Sequence, residues 1–389
     1  MKKLLFIILA FTSSIYINAE GSANIKKFLK GNLSEKTEAV KRADASEVNY
    51  LSTKAISFAI ENKELLGEDR DLAALAVSGV LALPASYIDS LSEADKNALS
   101  YDLQHIYNIF SDQTVKIAVL NKISKLNIST AKFTESLNSY IAQTNPETEN
   151  SAVLSATIQT LGIIGNSETF SILYKSAQNK NWSKYNQEIE ESIGLLSSKA
   201  EKEVLSLIGT GSVSDCAAIF KYISKNQKNS QNFRAKISEN VLARTIYIYE
   251  NSGTATEELI QLQIAAFEEL KNLKQPRASG TAIAYFEAAQ KQYSSGVLQE
   301  TDFSKIIEGL AETSPIDCVS KLSAYLSSLN KEMEADTPSV SEPVVLSVIN
   351  TLGAVGDKNA FDSLLAVTYY NYSDSVIAAA RSALAKLKW

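Results

Sequence analysis

The stretch VLSATIQTLGIIGNSETFSIL, from Val153 to Leu173, decides how the chain is read. Its first half places apolar residues at helical spacing up to Leu161. Two glycines three apart, Gly162 and Gly165, then predict the end of that helix, because glycine tolerates the backbone angles found there. Asn166 follows as a helix N-cap, and Phe170 and Leu173 mark the buried face of a second helix. The stretch therefore predicts a hairpin of helix, tight turn and capped helix. The same pattern returns 191 residues later as VVLSVINTLGAVGDKNAFDSLL, from Val344. It repeats Leu161 as Leu352, the glycines as Gly353 and Gly356, Asn166 as Asp357, and the buried pair as Phe361 and Leu364.

Weaker copies surround the two strong ones. Leu126, Ile208, Leu273 and Leu310 occupy the place of Leu161, with Ala217 and Phe220 expected inside after Ile208, and Val319 and Leu322 inside after Leu310. Most spacings between these anchors lie near the ~40-residue period of paired-helix repeats. The wide gap from Ile208 to Leu273 predicts an extra helix within Arg234 to Glu250. Upstream, Val48–Leu66, Leu72–Leu83 and Ala94–Phe110 read as helices without the glycine signature. With 15 glycines and 6 prolines in 389 residues, the chain lacks the frequent turns of a sandwich or barrel. The length exceeds what one core usually supports, which favours a one-dimensional array.

The L-G-x-x-G-[DN] turn followed by phenylalanine and leucine resembles the HEAT-like helical repeats of bacterial proteins. The resemblance covers residues 112–389, with 20–111 as an N-terminal helical segment. It implies an all-α fold, a right-handed α-α superhelix of paired antiparallel helices whose second helices line a concave surface. It also implies a scaffolding or protein-binding role. Some members of the family are lyases acting on bilin chromophores, so the resemblance leaves chemistry open.

The first nineteen residues predict export. Lys2 and Lys3 precede an apolar run from Leu4 to Phe11, and Ile17-Asn18-Ala19 offers a cleavage site after Ala19. That run is shorter than the ~20 residues needed to span a bilayer, so a cleaved signal peptide is favoured over an anchor, with a periplasmic or secreted destination. The pattern is bacterial. The remaining chain carries a net charge of about −8, which disfavours nucleic acid and anionic lipid as partners and leaves protein as the expected one. Stable membrane insertion after cleavage is not expected, and oligomeric state stays open.

Chemistry-bearing motifs are sparse. His105 is the only histidine, so metal sites and acid–base catalysis lack their usual supply; it reads as a structural residue among apolar neighbours. Gly209-Thr210-Gly211 reads as a repeat turn rather than a dinucleotide loop. Cys216 and Cys318 each lie eight residues after an anchor, equivalent positions too far apart to bond. No catalytic, cofactor or metal residue is assigned. The candidate partner-binding residues are aromatics that recur in the long connections between hairpins: Trp182, Tyr185, Tyr293, Tyr370 and Tyr372. Two readings stay open, an exposed ridge that grips a partner and, favoured, rings folded back over their own helices. Trp389 reads as a plug for the last helix. The expected function is an exported, non-catalytic scaffold. The alternatives are an enzyme resembling the HEAT-like lyases, built around Asp102 with Tyr101 and Tyr107, and a secreted surface structural protein.

Overall fold

The computed structural model describes residues 22–274, 278–334 and 340–389. The proposed signal peptide (1–19) lies outside the described residues. Among the described residues the fold is all-α, without a strand; one isolated bridge joins Asp357 to Lys388. No described helix is long and apolar enough to cross a membrane. The chain divides into two compact units, residues 1–165 and 166–389. That division by packing falls at a different place from the division by repeat signature at 111/112.

The first unit contains α1 (Ala23–Lys30), α2 (Leu33–Lys41), α3 (Val48–Leu66), α4 (Arg70–Ala82), α5 (Ala85–Asp89), α6 (Glu93–Ile109), α7 (Gln113–Leu126), α8 (Ala131–Gln143) and α9 (Ser151–Ile164). The second contains α10 (Ser167–Ala177), α11 (Asn186–Leu196), α12 (Glu201–Thr210), α13 (Val213–Ser224), α14 (Gln231–Ser252) and α15 (Glu257–Asn272). It continues with α16 (Ser279–Ser294), α17 (Glu300–Thr313), α18 (Asp317–Glu334), α19 (Glu342–Val355), α20 (Phe361–Val367) and α21 (Asp374–Leu384). The extra helix expected within 234–250 is α14.

Helix boundaries are written mainly by side chains that satisfy the orphan N–H groups of each first turn. Ser22, Asp69, Asp112, Thr130, Asn150, Thr256 and Ser373 all accept from a backbone N–H at N2 or N3. Full capping boxes form at Asn32–Glu35, Asn166–Thr169 and Ser212–Asp215. Capping of this kind delimits helices without spending glycine or proline.

In the second unit the helices order into two rows. α10, α12, α14, α16, α18 and α20 pack each on the next, and so do α11, α13, α15, α17, α19 and α21. The first unit shows the same habit, with α2 on α4, α4 on α7 and α7 on α9. This order corrects the reading around Ile208. Its helix, α12, lies in the row of α16, α18 and α20, whereas the other anchor helices of this unit, α15, α17 and α19, lie in the opposite row. The α12–α13 turn therefore joins one pair to the next. A glycine plus a capping residue closes a tight turn in either direction, so the sequence could not separate the two cases.

The buried face of α13 is also turned by one residue. Cys216, Ile219 and Ile223 are buried while Ala217 and Phe220 are half-buried. Counted from the N-cap, the positions agree: Phe170 and Leu173 follow Asn166 as Cys216 and Ile219 follow Ser212. Leu273 ends α15 half-buried, and Leu270 takes the core position. Each fully buried side chain of this size contributes about 1.5–3 kcal/mol.

The two glycines of the signature do different work. Gly353 sits inside α19, where an added Cβ would lie 2.8 Å from the Ala383 Cβ of α21. Gly356 ends the helix with φ 73°, whereas Gly165 ends α9 in extended backbone. Only the second glycine terminates; the first permits close helix packing. Trp389, expected as a core plug, is 83% exposed and touches Phe361 edge-on at 5.4 Å. Beside it, Leu387 is buried, and the Lys388 N–H bonds the Gly356 carbonyl at 2.8 Å.

Polar contacts between helices recur at one repeat length. Thr160 on α9 donates to the Leu120 carbonyl of α7 at 3.1 Å, 40 residues back. The Lys122 ammonium donates to the carbonyls of Leu81 and Leu83 at 2.7 and 2.8 Å, closing the end of α4. In the second unit, Tyr174–Asp215, Arg234–Glu269, Lys321–Glu287 and Tyr372–Asn330 span 41, 35, 34 and 42 residues. Asn229 and Arg244 reach the Gly194 and Gly211 carbonyls, 35 and 33 residues away. Of these contacts, those of Lys122, Asn229 and Arg244 occupy carbonyls at or near helix ends, while the others join side chain to side chain or reach within a helix.

Candidate functional site

The five candidate aromatics do not form an exposed ridge. Trp182 and Tyr185 lie in a 3-10 turn, Lys180–Tyr185, that fills the connection between α10 and α11, and they are 4% and 2% exposed. Their rings tilt against each other at 6.0 Å. Tyr372 is buried, and its hydroxyl donates to Asn330 Oδ1 at 3.1 Å, while Asn330 donates to the Ser363 carbonyl at 3.2 Å. Tyr293 is half-buried and stacked on the buried ring of Phe303 at 4.8 Å. Tyr370 is half-buried. Trp182, Tyr185 and Tyr372 are thus taken up in packing, while Tyr293 and Tyr370 keep part of their surface exposed.

The two cysteines are buried and unbonded. Burial pushes the Cys216 thiol up to about 11 and the Cys318 thiol up to about 12, so neither is a thiolate near neutrality. His105 lies exposed on α6 rather than among apolar neighbours, and Tyr101 on the same helix is 58% exposed. Tyr107 turns instead into a cleft whose lining includes neither Tyr101 nor Asp102. Those three side chains are therefore not brought together.

That cleft, of about 440 Å³, has a lining about equally polar and apolar. It lies where α6 ends, α7 and α9 begin, and α8 turns toward α9. Tyr107 packs edge-on against the buried ring of Phe133 at 5.3 Å, and the Lys116 ammonium lies 5.5 Å from the Tyr107 ring centre. Lys116 has no ion pair among the described residues. Tyr140 donates to Glu149 Oε2 at 3.4 Å. Burial and the Glu149 carboxylate push the Tyr140 hydroxyl up to about 12, so it stays protonated as a donor. Asn150 caps α9 through its Oδ1 and donates from Nδ2 to Gln113 Oε1 at 2.7 Å, which fixes the Gln113 amide.

Sequence reasoning named Tyr107 alone of this group. The other members come from four helices up to forty residues apart, and no local motif links them. Two further concavities are less polar or more open. One, of about 650 Å³, runs between α11 and α13 past Gly194 and Tyr222. The other, of about 780 Å³, is lined by Val40, Ala73, Val77 and Leu81 between α2, α4 and α7. Among the described residues no group of three or more His, Cys, Asp or Glu side chains is arranged to hold a metal ion.

No family model matches the chain, and no curated protein is detectably similar to it.

Proposed function

We propose that the protein is an exported, non-catalytic scaffold that binds a protein partner, built as HEAT-like repeats in a right-handed superhelix. The observation that carries the reading is the recurrence of inter-helix hydrogen bonds and ion pairs at separations of 31 to 42 residues, as in Lys221–Glu190 and Tyr372–Asn330. Such a register means that each helix pair rests on its neighbours, which is how repeat arrays present long continuous surfaces. The N-terminal sequence supports export, with the mature chain beginning at Glu20. Binding falls to the exposed helix faces of the rows, because Trp182, Tyr185 and Tyr372 are taken up in packing. Tyr247 on α14, 57% exposed with the Arg244 guanidinium 5.3 Å from its ring, is one such position.

The test is cross-linked capture of the tagged full-length chain from fractionated cells. The reading expects the chain outside the cytoplasm, starting at Glu20, with one protein recovered near stoichiometry. A cytoplasmic chain that keeps Met1, or a chain recovered with no stoichiometric protein, contradicts it.

A further inference from the structure

We infer that the cleft between α6, α7, α8 and α9 binds a small neutral sugar, of mono- or disaccharide size. The inference concerns the first unit alone and does not depend on the scaffold reading. Its volume, about 440 Å³, falls within the range of small-molecule sites, about 300–1,000 Å³. Most such sites are chiefly apolar, with a few polar groups to set orientation. Here polar and apolar lining are evenly matched: two tyrosines, a lysine, a glutamate and three carboxamides share one space with Leu137 and Val153.

The balance of these groups selects the ligand. Lys116 offers a cation and Glu149 an anion, so the cleft has no net charge to hold a simple anion or cation. Lys116 is not consumed by an ion pair among the described residues. Gln113 has its oxygen engaged by Asn150, which leaves its Nε2 as a donor. Tyr140 gives its one hydroxyl proton to Glu149, which leaves its oxygen to accept from a ligand. Glu149 meets Tyr140 only at 3.4 Å, a long contact that leaves acceptor capacity. Interleaved donors and acceptors of this kind match a ligand whose every edge is a hydroxyl, which both donates and accepts. The Tyr107 ring is held against Phe133, so its position is fixed before a ligand arrives. A partly preformed polar site lowers the ordering cost of binding.

The experiment uses the full chain and four probes, namely maltose, cellobiose, lactose and N,N′-diacetylchitobiose, followed by saturation-transfer NMR and calorimetry. At least one probe is expected to bind with a Kd below about 1 mM. Tyr140→Phe and Lys116→Met should each weaken it about tenfold, the loss expected for one hydrogen bond to a hydroxyl. Both side chains lie at the surface of the cleft, so melting temperature should stay within about 2 °C of the parent. Gln113→Ala supplies a third variant should either of these unfold. Three results would overturn the proposal: no signal from any probe at about 10 mM, binding retained in all three variants, or displacement of the sugar by equimolar inorganic phosphate.

Discussion

At the scale of single residues, the aromatics of the connections are best weighed by how far each is buried. Trp182 lies in a polar connection, and the residue is 4% exposed with its ring beside that of Tyr185. Truncating it removes a large buried side chain and leaves a cavity. Trp182→Ala should therefore cost about 3–5 kcal/mol in denaturant unfolding. An exposed ridge residue would lower stability by less than about 0.5 kcal/mol. The glycines give a sharper contrast in sign. Gly353→Ala places a Cβ against Ala383 and should cost about 1–3 kcal/mol. Gly209, near the end of α12, has open space at its Cβ position, so Gly209→Ala should stabilise by about 0.5–1 kcal/mol. Chemical denaturation of both variants checks the pair; equal effects would show that packing against α21 does not explain Gly353.

At the scale of elements, the capping boxes define where helices start and which face goes inward. Asp215 closes the box with Ser212 at the head of α13 and also accepts from the Tyr174 hydroxyl at 3.2 Å. Hydrogen bonds from the Ser212 side chain and backbone hold its carboxyl below the usual carboxylate range. A folded value below the unfolded one means that this stabilisation is present above the unfolded value and fades as pH falls through the depressed one. Asp215→Ala should thus cost about 1 kcal/mol at neutral pH. The gap to the parent should close as pH drops below about 4, because protonation then removes the same contacts. Thermal melts across that range read the effect directly, and a gap independent of pH would contradict the role given to the carboxylate.

The same elements explain what was legible beforehand. Val48–Leu66 was readable as a helix because its apolar spacing is unbroken, and α3 has those bounds. Asn166 was readable as a cap because its chemistry is local. The assignment of α12 and α13 to rows was not readable, since Gly211–Ser212 and Gly165–Asn166 are chemically alike and only packing tells them apart. The exposure of Trp389 was equally hidden, because the contacts around it, such as the backbone bond of Lys388 to Gly356, join residues far apart in sequence. The cleft around Lys116 and Tyr140 depends on four helices converging, a non-local fact with no signature along the chain.

At the scale of the whole molecule, the account holds that stability passes from one helix pair to the next through packing and through rungs about one repeat apart. Within the second unit, α10 and α20 share a row but are joined only through the helices between them. Coupling in such an array falls off with distance along the chain. Asn330 is the clearest rung: buried, it accepts from Tyr372 and donates to the Ser363 carbonyl, joining α18 to α20 and to the connection that follows. Removing it takes the acceptor from the buried Tyr372 hydroxyl and an added donor from the Ser363 carbonyl, at a cost of about 1–3 kcal/mol. The deciding measurement is native-state hydrogen exchange, read by mass spectrometry, on the parent and on Asn330→Ala. The account predicts faster exchange confined to α18 through α21, with α10 through α13 unchanged. A uniform loss of protection across residues 166–389 would show one cooperative globule in place of a repeat array, and would contradict it.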